Sequence, residues 1–157
     1  MSYSIREISR RDRPQWQLLW DGYNAFYGRS GPTALDAAIT ELTWDRFFDP
    51  NEPVEALVAV ERDRVVGLVH YLYHRSTTRV TDVCYLQDLF TEESLRGKGI
   101  GRSLIEAVVA AAGRAGSSRV YWQTKADNHF GRLLYDKVAA HTGFIVYVKE
   151  LSAPATV

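Results

Sequence analysis

A single cysteine, Cys84, stands in 157 residues, which removes two options at once: an intrachain disulfide framework and any cysteine-based zinc site. Its scarcity suits a reducing compartment. Charge of one sign is not in surplus either, because Lys plus Arg equals Asp plus Glu at 19 each. A balanced chain has no bulk attraction to nucleic acid or to an anionic membrane, so any basic site has to be local. No stretch approaches the ~20 apolar residues of a membrane span, and the opening Met1-Ser2-Tyr3-Ser4-Ile5-Arg6 has no apolar signal core. The expectation is a cytoplasmic protein with no nucleic-acid and no membrane partner. Repeats, low-complexity tracts and linkers are missing as well, and the length is that of one ordinary domain able to bury a full core. One domain is expected over 1–157, with its core at about 3–151 and a short tail, 152–157.

What the chain does have is regular patterning. Tyr3 and Ile5, with Ile8 closing the run, read as a short first strand. A helix follows over about 14–25, opened by Pro14 and stepping Trp16, Leu19, Trp20 and Tyr23 along one side. Residues 28–32 break it, and a second helix is expected over about 34–48, burying Leu35, Ala38, Leu42 and Phe47. Two hairpin strands, 56–61 and 65–73, flank the turn Arg62-Asp63-Arg64. A mostly apolar strand, 81–90, then leads through a short loop into a long helix with Ile100, Leu104, Val108, Ala111 and Ala115 on one face. Another strand is expected at 118–124, a fourth helix from Gly131 to about His141, and a last strand at 143–151.

The junction after the 81–90 strand is where the sequence speaks about chemistry. It reads Arg96-Gly97-Lys98-Gly99-Ile100-Gly101-Arg102. Glycine lacks a Cβ, so the backbone turns sharply and a ligand can approach the amides. The first N–H groups of a helix have no intrahelical partner and carry partial positive charge, which makes the helix start a site for phosphate or pyrophosphate. Three side-chain cations add to it. Two phosphate signatures fail on the letters. A Walker loop needs glycine where Glu92 stands and Ser or Thr after Gly97-Lys98, where Gly99 stands. A dinucleotide fingerprint begun at Gly97 needs glycine at the position of Arg102.

Arg96-x-x-Gly99-x-Gly101, between strand and helix, resembles the acetyl-CoA pyrophosphate loop of the GNAT superfamily of N-acetyltransferases, Q/R-x-x-G-x-G/A. A second segment, Asn128-His129-Phe130-Gly131-Arg132-Leu133-Leu134-Tyr135, is similar to the family's next motif, in which an Asn opens a helix and a Tyr seven residues later faces the cofactor. Val120 to Thr124 and Val138 to Phe144 also resemble the small HPA-type members, described as acting on histones, polyamines or amino acids. The spacing from Tyr135 to Gly143-Phe144, about one helical turn longer than in many relatives, is that branch's own. The resemblance implies an α/β fold with a mixed, mainly antiparallel sheet of about six to seven strands and about four helices on both faces. The implied order is β-α-α-β-β-β-α-β-α-β. It also implies a homodimer.

Carried onto this chain, the resemblance places the pantetheine arm of acetyl-CoA against the backbone of Leu89, Phe90 and Thr91, in a gap beside the central strand. The pyrophosphate falls to Gly97, Lys98, Gly99, Ile100 and Gly101 with Arg96 and Arg102, and Asn128 bonds the pantetheine arm. Tyr135 is the expected general acid, since a departing CoA thiolate leaves more easily when a phenol protonates it. Asn128, Arg132 and Tyr135, spaced four and three apart, share one helix face. The base stays open. Gln87 occupies a position that is often Glu in similar polyamine acetyltransferases, and Gln is no base. Asp88 points to the other face of the strand, Glu92 reads as a solvated loop carboxylate, and a water relay is the default.

Other residues carry plainer readings. Cys84 in an apolar strand behaves as a small hydrophobe. His70 and His74 share one side of a regular strand but show no third ligand, so no metal is expected. Trp16, Trp20, Trp44 and Trp122 read as core. Asp21, Tyr23 and Tyr27, where similar proteins line the acceptor groove, join Gln87 as substrate-site candidates. The expected activity is direct acetyl transfer from acetyl-CoA to a primary amine of a small molecule, a polyamine or an amino acid. A protein lysine or N-terminus is the second acceptor class, and a non-catalytic CoA-binding sensor is the alternative of another kind.

Overall fold

The computed structural model describes residues 2–152, so residues 153–157 of the expected tail lie outside the described chain. Two compact units divide it, the first ending at Gln123 and the second beginning at Thr124. In chain order the first unit holds β1 (Ser4–Glu7), α1 (Arg13–Phe26), α2 (Ala37–Arg46), β2 (Val54–Glu61), β3 (Arg64–His74), β4 (Val83–Thr91), α3 (Ile100–Arg114) and β5 (Val120–Tyr121). The sheet runs β1-β2-β3-β4-β5. Its first four strands are antiparallel, and β5 joins β4 in parallel.

The nearly continuous apolar runs of β2 and β3 reflect a sheet covered on both faces. A Cβ on Gly67 would lie 3.1 Å from Ile100 Cγ2 and from Leu104 Cδ1, so this position faces α3 at close range. Leu68, the next residue, packs in a cluster with Trp16, Trp20 and Trp44. Successive strand residues point to opposite faces, so α3 covers one face while α1 and α2 cover the other. Trp16 is fully buried and stacks on Trp20 at 5.7 Å. Truncating a tryptophan in such a cluster typically costs about 3–5 kcal/mol.

Local chemistry sets the boundaries. The β2–β3 hairpin closes on a two-residue turn, Arg62 and Asp63, both with positive φ (48° and 63°), between the paired Glu61 and Arg64. That geometry suits a right-twisted hairpin, and the turn is one residue shorter than the sequence suggests. α2 begins later than expected because Asp36 caps it, its carboxylate accepting from the Ala38 amide at 2.8 Å. The late start changes the buried face to Thr40, Trp44 and then Phe47. The expected set is corrected accordingly: Phe47 is buried, but Leu35 lies before the helix, Ala38 is exposed, and Leu42 is half exposed.

Sheet size needs a second correction. Among the described residues the sheet has five strands rather than six to seven. Of 118–124 only Val120–Tyr121 is strand, and 143–151 forms none. An extended apolar segment has no internal way to satisfy its backbone and becomes a strand only beside a partner edge. The order of the remaining elements is the one the sequence suggests. The second unit holds one helix, α4 (His129–Val138).

Candidate active site

The loop between β4 and α3 is built for backbone exposure. Gly97 and Gly99 have φ of +80° and +86°, a region that residues with a Cβ rarely occupy. Gly99 caps α3 from this conformation. Below it, the buried Ile100 and Leu104 fix the helix to the sheet, and Tyr3 Oη lies 2.8 Å from Ser103 Oγ. The amides of Ile100, Gly101 and Arg102 open the helix, where the i→i−4 pattern leaves them unused. Arg96, Lys98 and Arg102 are exposed around the loop. Arg102 is partly committed, since its Nε donates to Glu106 Oε1 at 2.8 Å.

β4 brings a second feature. Its edge toward β3 is paired as far as Thr91, whereas β5 pairs the opposite edge only at Cys84 and Tyr85. From Leu86 to Thr91 no strand of the described residues covers that second edge, so backbone donors and acceptors there are open to an extended ligand. Leu89, Phe90 and Thr91 are half-buried on this stretch, and the Thr91 carbonyl accepts from Arg96 Nε at 3.3 Å.

Rings connect the loop to α1. The Arg96 guanidinium lies over the Phe90 ring at 5.2 Å, Phe90 meets Tyr23 edge-on at 6.4 Å, and Tyr23 contacts Tyr27 at 5.0 Å. Gly22 permits this, because a Cβ there would stand 3.0 Å from Phe90 Cζ. Tyr23 is buried and its phenol is pushed well above the usual range, first by burial and then by the charge of Asp88. Tyr27 shifts the same way for the same leading cause. Asp21, by contrast, is exposed and accepts from Gln17 Nε2 at 2.8 Å. It lines a cleft of about 520 Å³ beside α1, with Asn24 and Arg29.

Gln87 is the extra residue of a β-bulge. His70 pairs with Asp88 and Tyr71 with Leu86, which leaves Gln87 without a partner and exposed. Asp88 is buried, on the face opposite the exposed Gln87: His70 Nδ1 lies 2.9 Å from its Oδ2, and Trp16 Nε1 donates to His70 Nε2 at 3.0 Å. This buried chain was not visible in the sequence, because nothing in the letters gives the cross-strand register. His74, exposed, sits instead 2.6 Å from Tyr121 Oη. Glu92 is held by Arg64 Nη2 at 2.7 Å and Ser94 Oγ at 2.9 Å. Cys84 is fully buried, and burial pushes its thiol up to about 11.

In the second unit Asn128 is the N-cap of α4. Its Oδ1 accepts from the Gly131 amide at 3.2 Å and its Nδ2 donates to Thr124 Oγ1 at 2.8 Å. A side-chain amide has two N–H groups and two lone pairs, so one of each remains for a ligand. Arg132 is anchored on the Ala126 carbonyl at 2.8 Å, and Tyr135 is half-buried on the same helix.

Comparison with known proteins gives the family and the fold. The sequence model of the acetyltransferase (GNAT) family matches residues 14–140. The D-amino-acid N-acetyltransferase HPA3 of Saccharomyces cerevisiae is 34% identical over 148 residues, covering 93% of this chain and 89% of that protein. Among solved structures, a ribosomal-protein-alanine N-acetyltransferase from Brucella melitensis superposes with a TM-score of 0.81 at 22% identity, over 98% of this chain and 100% of that one. AAC(6')-Iy in complex with a CoA-linked bisubstrate analogue superposes with a TM-score of 0.79 at 15% identity, over 97% and 100%.

Proposed function

The chain belongs to the GNAT family of acetyltransferases and is an N-acetyltransferase, and we propose that it moves acetyl directly from acetyl-CoA to the primary amine of a small molecule, an amino acid or a polyamine. The observation that carries this reading is the loop of two positive-φ glycines opening α3, ringed by Arg96, Lys98 and Arg102. A Cβ at Gly97 would meet nothing within 4 Å, which leaves room for an anion against the amides. Here Gly97, Lys98, Gly99, Ile100, Gly101, Arg96 and Arg102 hold the pyrophosphate. The open edge at Leu89, Phe90 and Thr91 takes the pantetheine arm, with the spare donor of Asn128.

The acceptor nitrogen then attacks the thioester carbonyl, the C–S bond breaks, and Tyr135 gives its phenolic proton to the departing sulfur. The proton lost by the amine leaves through a water relay, since Gln87 has no basic atom and Glu92 is engaged by Arg64 and Ser94. Cys84 takes no part: a buried thiol raised to about 11 offers no thiolate near neutrality. The family match runs over residues 14–140, which supports reading the chain as a single N-acetyltransferase domain. A cytoplasmic location accords with the lone cysteine. Among the described residues no helix is long and apolar enough to cross a membrane.

The test is thiol release from acetyl-CoA against amino acids of both hands, polyamines, aminoglycosides and a basic peptide. Turnover with a small amine is expected. Turnover with the peptide alone would transfer the protein to the second acceptor class, and tight acetyl-CoA binding without any turnover would make it a sensor.

We propose further that the chain is a homodimer. Phe144, Ile145 and Tyr147 are 82%, 73% and 89% exposed in a single chain, an apolar run that water disfavours. Light scattering is expected to give twice the mass of one chain. Tyr147→Asp should shift the protein toward the monomer, and a monomeric wild-type chain would refute the proposal.

A further inference from the structure

Asp88 is a buried carboxylate with an unusual set of partners. It is 9% exposed, and of the ion pairs among the described residues the one that includes it is with His70. The protonation of that histidine follows from its other nitrogen. An indole N–H can only donate, so Trp16 Nε1 at 3.0 Å fixes Nε2 of His70 as an acceptor and leaves the ring proton on Nδ1, facing Asp88 Oδ2. The ring in this arrangement is neutral. The Tyr23 phenol, pushed up by burial and by the charge of Asp88, is neutral too. A neutral donor orients the carboxylate without cancelling its charge, and a buried charge without an opposite charge is costly.

The surroundings say what would complete it. The side chain of Asp88 keeps 12% of its surface, so the carboxylate is reachable. Its charge acts on Tyr23, Tyr27 and Tyr85, three rings whose faces attract cations. The Tyr23 and Tyr27 faces already hold one cation: the Arg29 guanidinium lies 5.9 Å and 5.5 Å from their centroids, while its Nε donates to Asn24 Oδ1 at 2.7 Å. Arg29 also lines the cleft beside α1, where a ligand can reach it. One aromatic pair therefore stands between a carboxylate and a guanidinium.

We infer that Asp88, with Tyr23 and Tyr27, is the ammonium subsite for the acceptor, that Arg29 receives an acidic group on the same molecule, and that His70 and Trp16 are positioning residues behind Asp88. The ligand class is a zwitterion with ammonium and carboxylate on one carbon, an α-amino acid. This rests on the acetyltransferase reading for what happens to the bound amine, but not for the binding itself.

The experiment separates the two. Trimethylglycine, whose quaternary nitrogen cannot be acetylated, and 3,3-dimethylbutanoate, its isostere with a tert-butyl group in place of the trimethylammonium, are titrated calorimetrically into the wild-type chain, alone and saturated with CoA. Binding of trimethylglycine at least about tenfold tighter than the isostere is expected. Equal affinities, or no binding by either while amino acids are turned over, would overturn the site. Cation-selective binding with no turnover of any amine would uphold the site and overturn the acetyltransferase reading instead.

Variants locate the charges. Asp88→Asn should abolish the selectivity for the cation while acetyl-CoA affinity is retained. Arg29→Gln should raise KM for an amino acid about tenfold yet leave its primary amide nearly unaffected. The positioning role has its own readout: ring nitrogen shifts of His70 should report the Nδ1–H form in the wild type and lose it in Trp16→Phe. An Nε2–H ring in the wild type would refute that role.

Discussion

Replacing Tyr135 with Phe is expected to lower kcat at least about tenfold, and as much as 10²–10⁴-fold, the usual range for a positioned general acid, while acetyl-CoA binds as before. The substitution deletes one oxygen and keeps the ring, so α4 should be undisturbed: its start is fixed by the Asn128 cap and the Arg132 anchor, neither of which involves the phenol. A loss of activity alone would not separate acid catalysis from packing. The leaving group can. If the phenol protonates the departing sulfur, an acetyl thioester of a more acidic thiol needs it less, and Tyr135→Phe should harm that donor far less than acetyl-CoA. Equal losses with both donors, or a change confined to KM, would remove Tyr135 from the chemical step.

The same residue shows how far letters reach. Asn128 and Tyr135 were legible through their resemblance to a family motif, and the helix that the motif implies is there, with Asn128 as its N-cap. Loop glycines were legible for a similar reason: Gly97 and Gly99 sit where a strand must turn into a helix, and their positive φ is what the absence of a Cβ allows. Contacts across the sheet were not legible. His70 and Asp88 meet because β3 and β4 pair in one register and Gln87 bulges out of it, and a slip of one residue would have turned Asp88 outward. The apolar run in 143–151 suggested a strand and none forms there, because such a run becomes a strand only where it finds an edge to join. α2 was misplaced by its cap, Asp36, one of several residues between Gly31 and Asp36 able to open a helix.

Gly97→Ala/Gly99→Ala is the second substitution with a large expected effect. A left-handed conformation costs a residue with a Cβ roughly 1–2 kcal/mol, so the pair should cost about 2–4 kcal/mol. Where that strain appears is the informative part. Space is not the obstacle, because a Cβ at Gly97 meets nothing and one at Gly99 comes no closer than 3.4 Å to Tyr3 Oη. α3 is fixed beneath the loop by Ile100 and Leu104, both buried against the sheet, so the helix should stay while the loop leaves its conformation. The affinity for acetyl-CoA is then expected to fall about 30-fold or more, since 1.4 kcal/mol is a factor of ten, with a smaller change in Tm than the strain alone would give. Gly116→Ala supplies the control. Gly116 has a φ of +84° and open space around it, but it follows the other end of α3, where its amide and that of Ser117 close the helix. It should lower stability and leave acetyl-CoA affinity unchanged. If both variants lost stability equally and neither lost affinity, the positive-φ loop would be a turn and nothing more, and the phosphate assignment would fall with it.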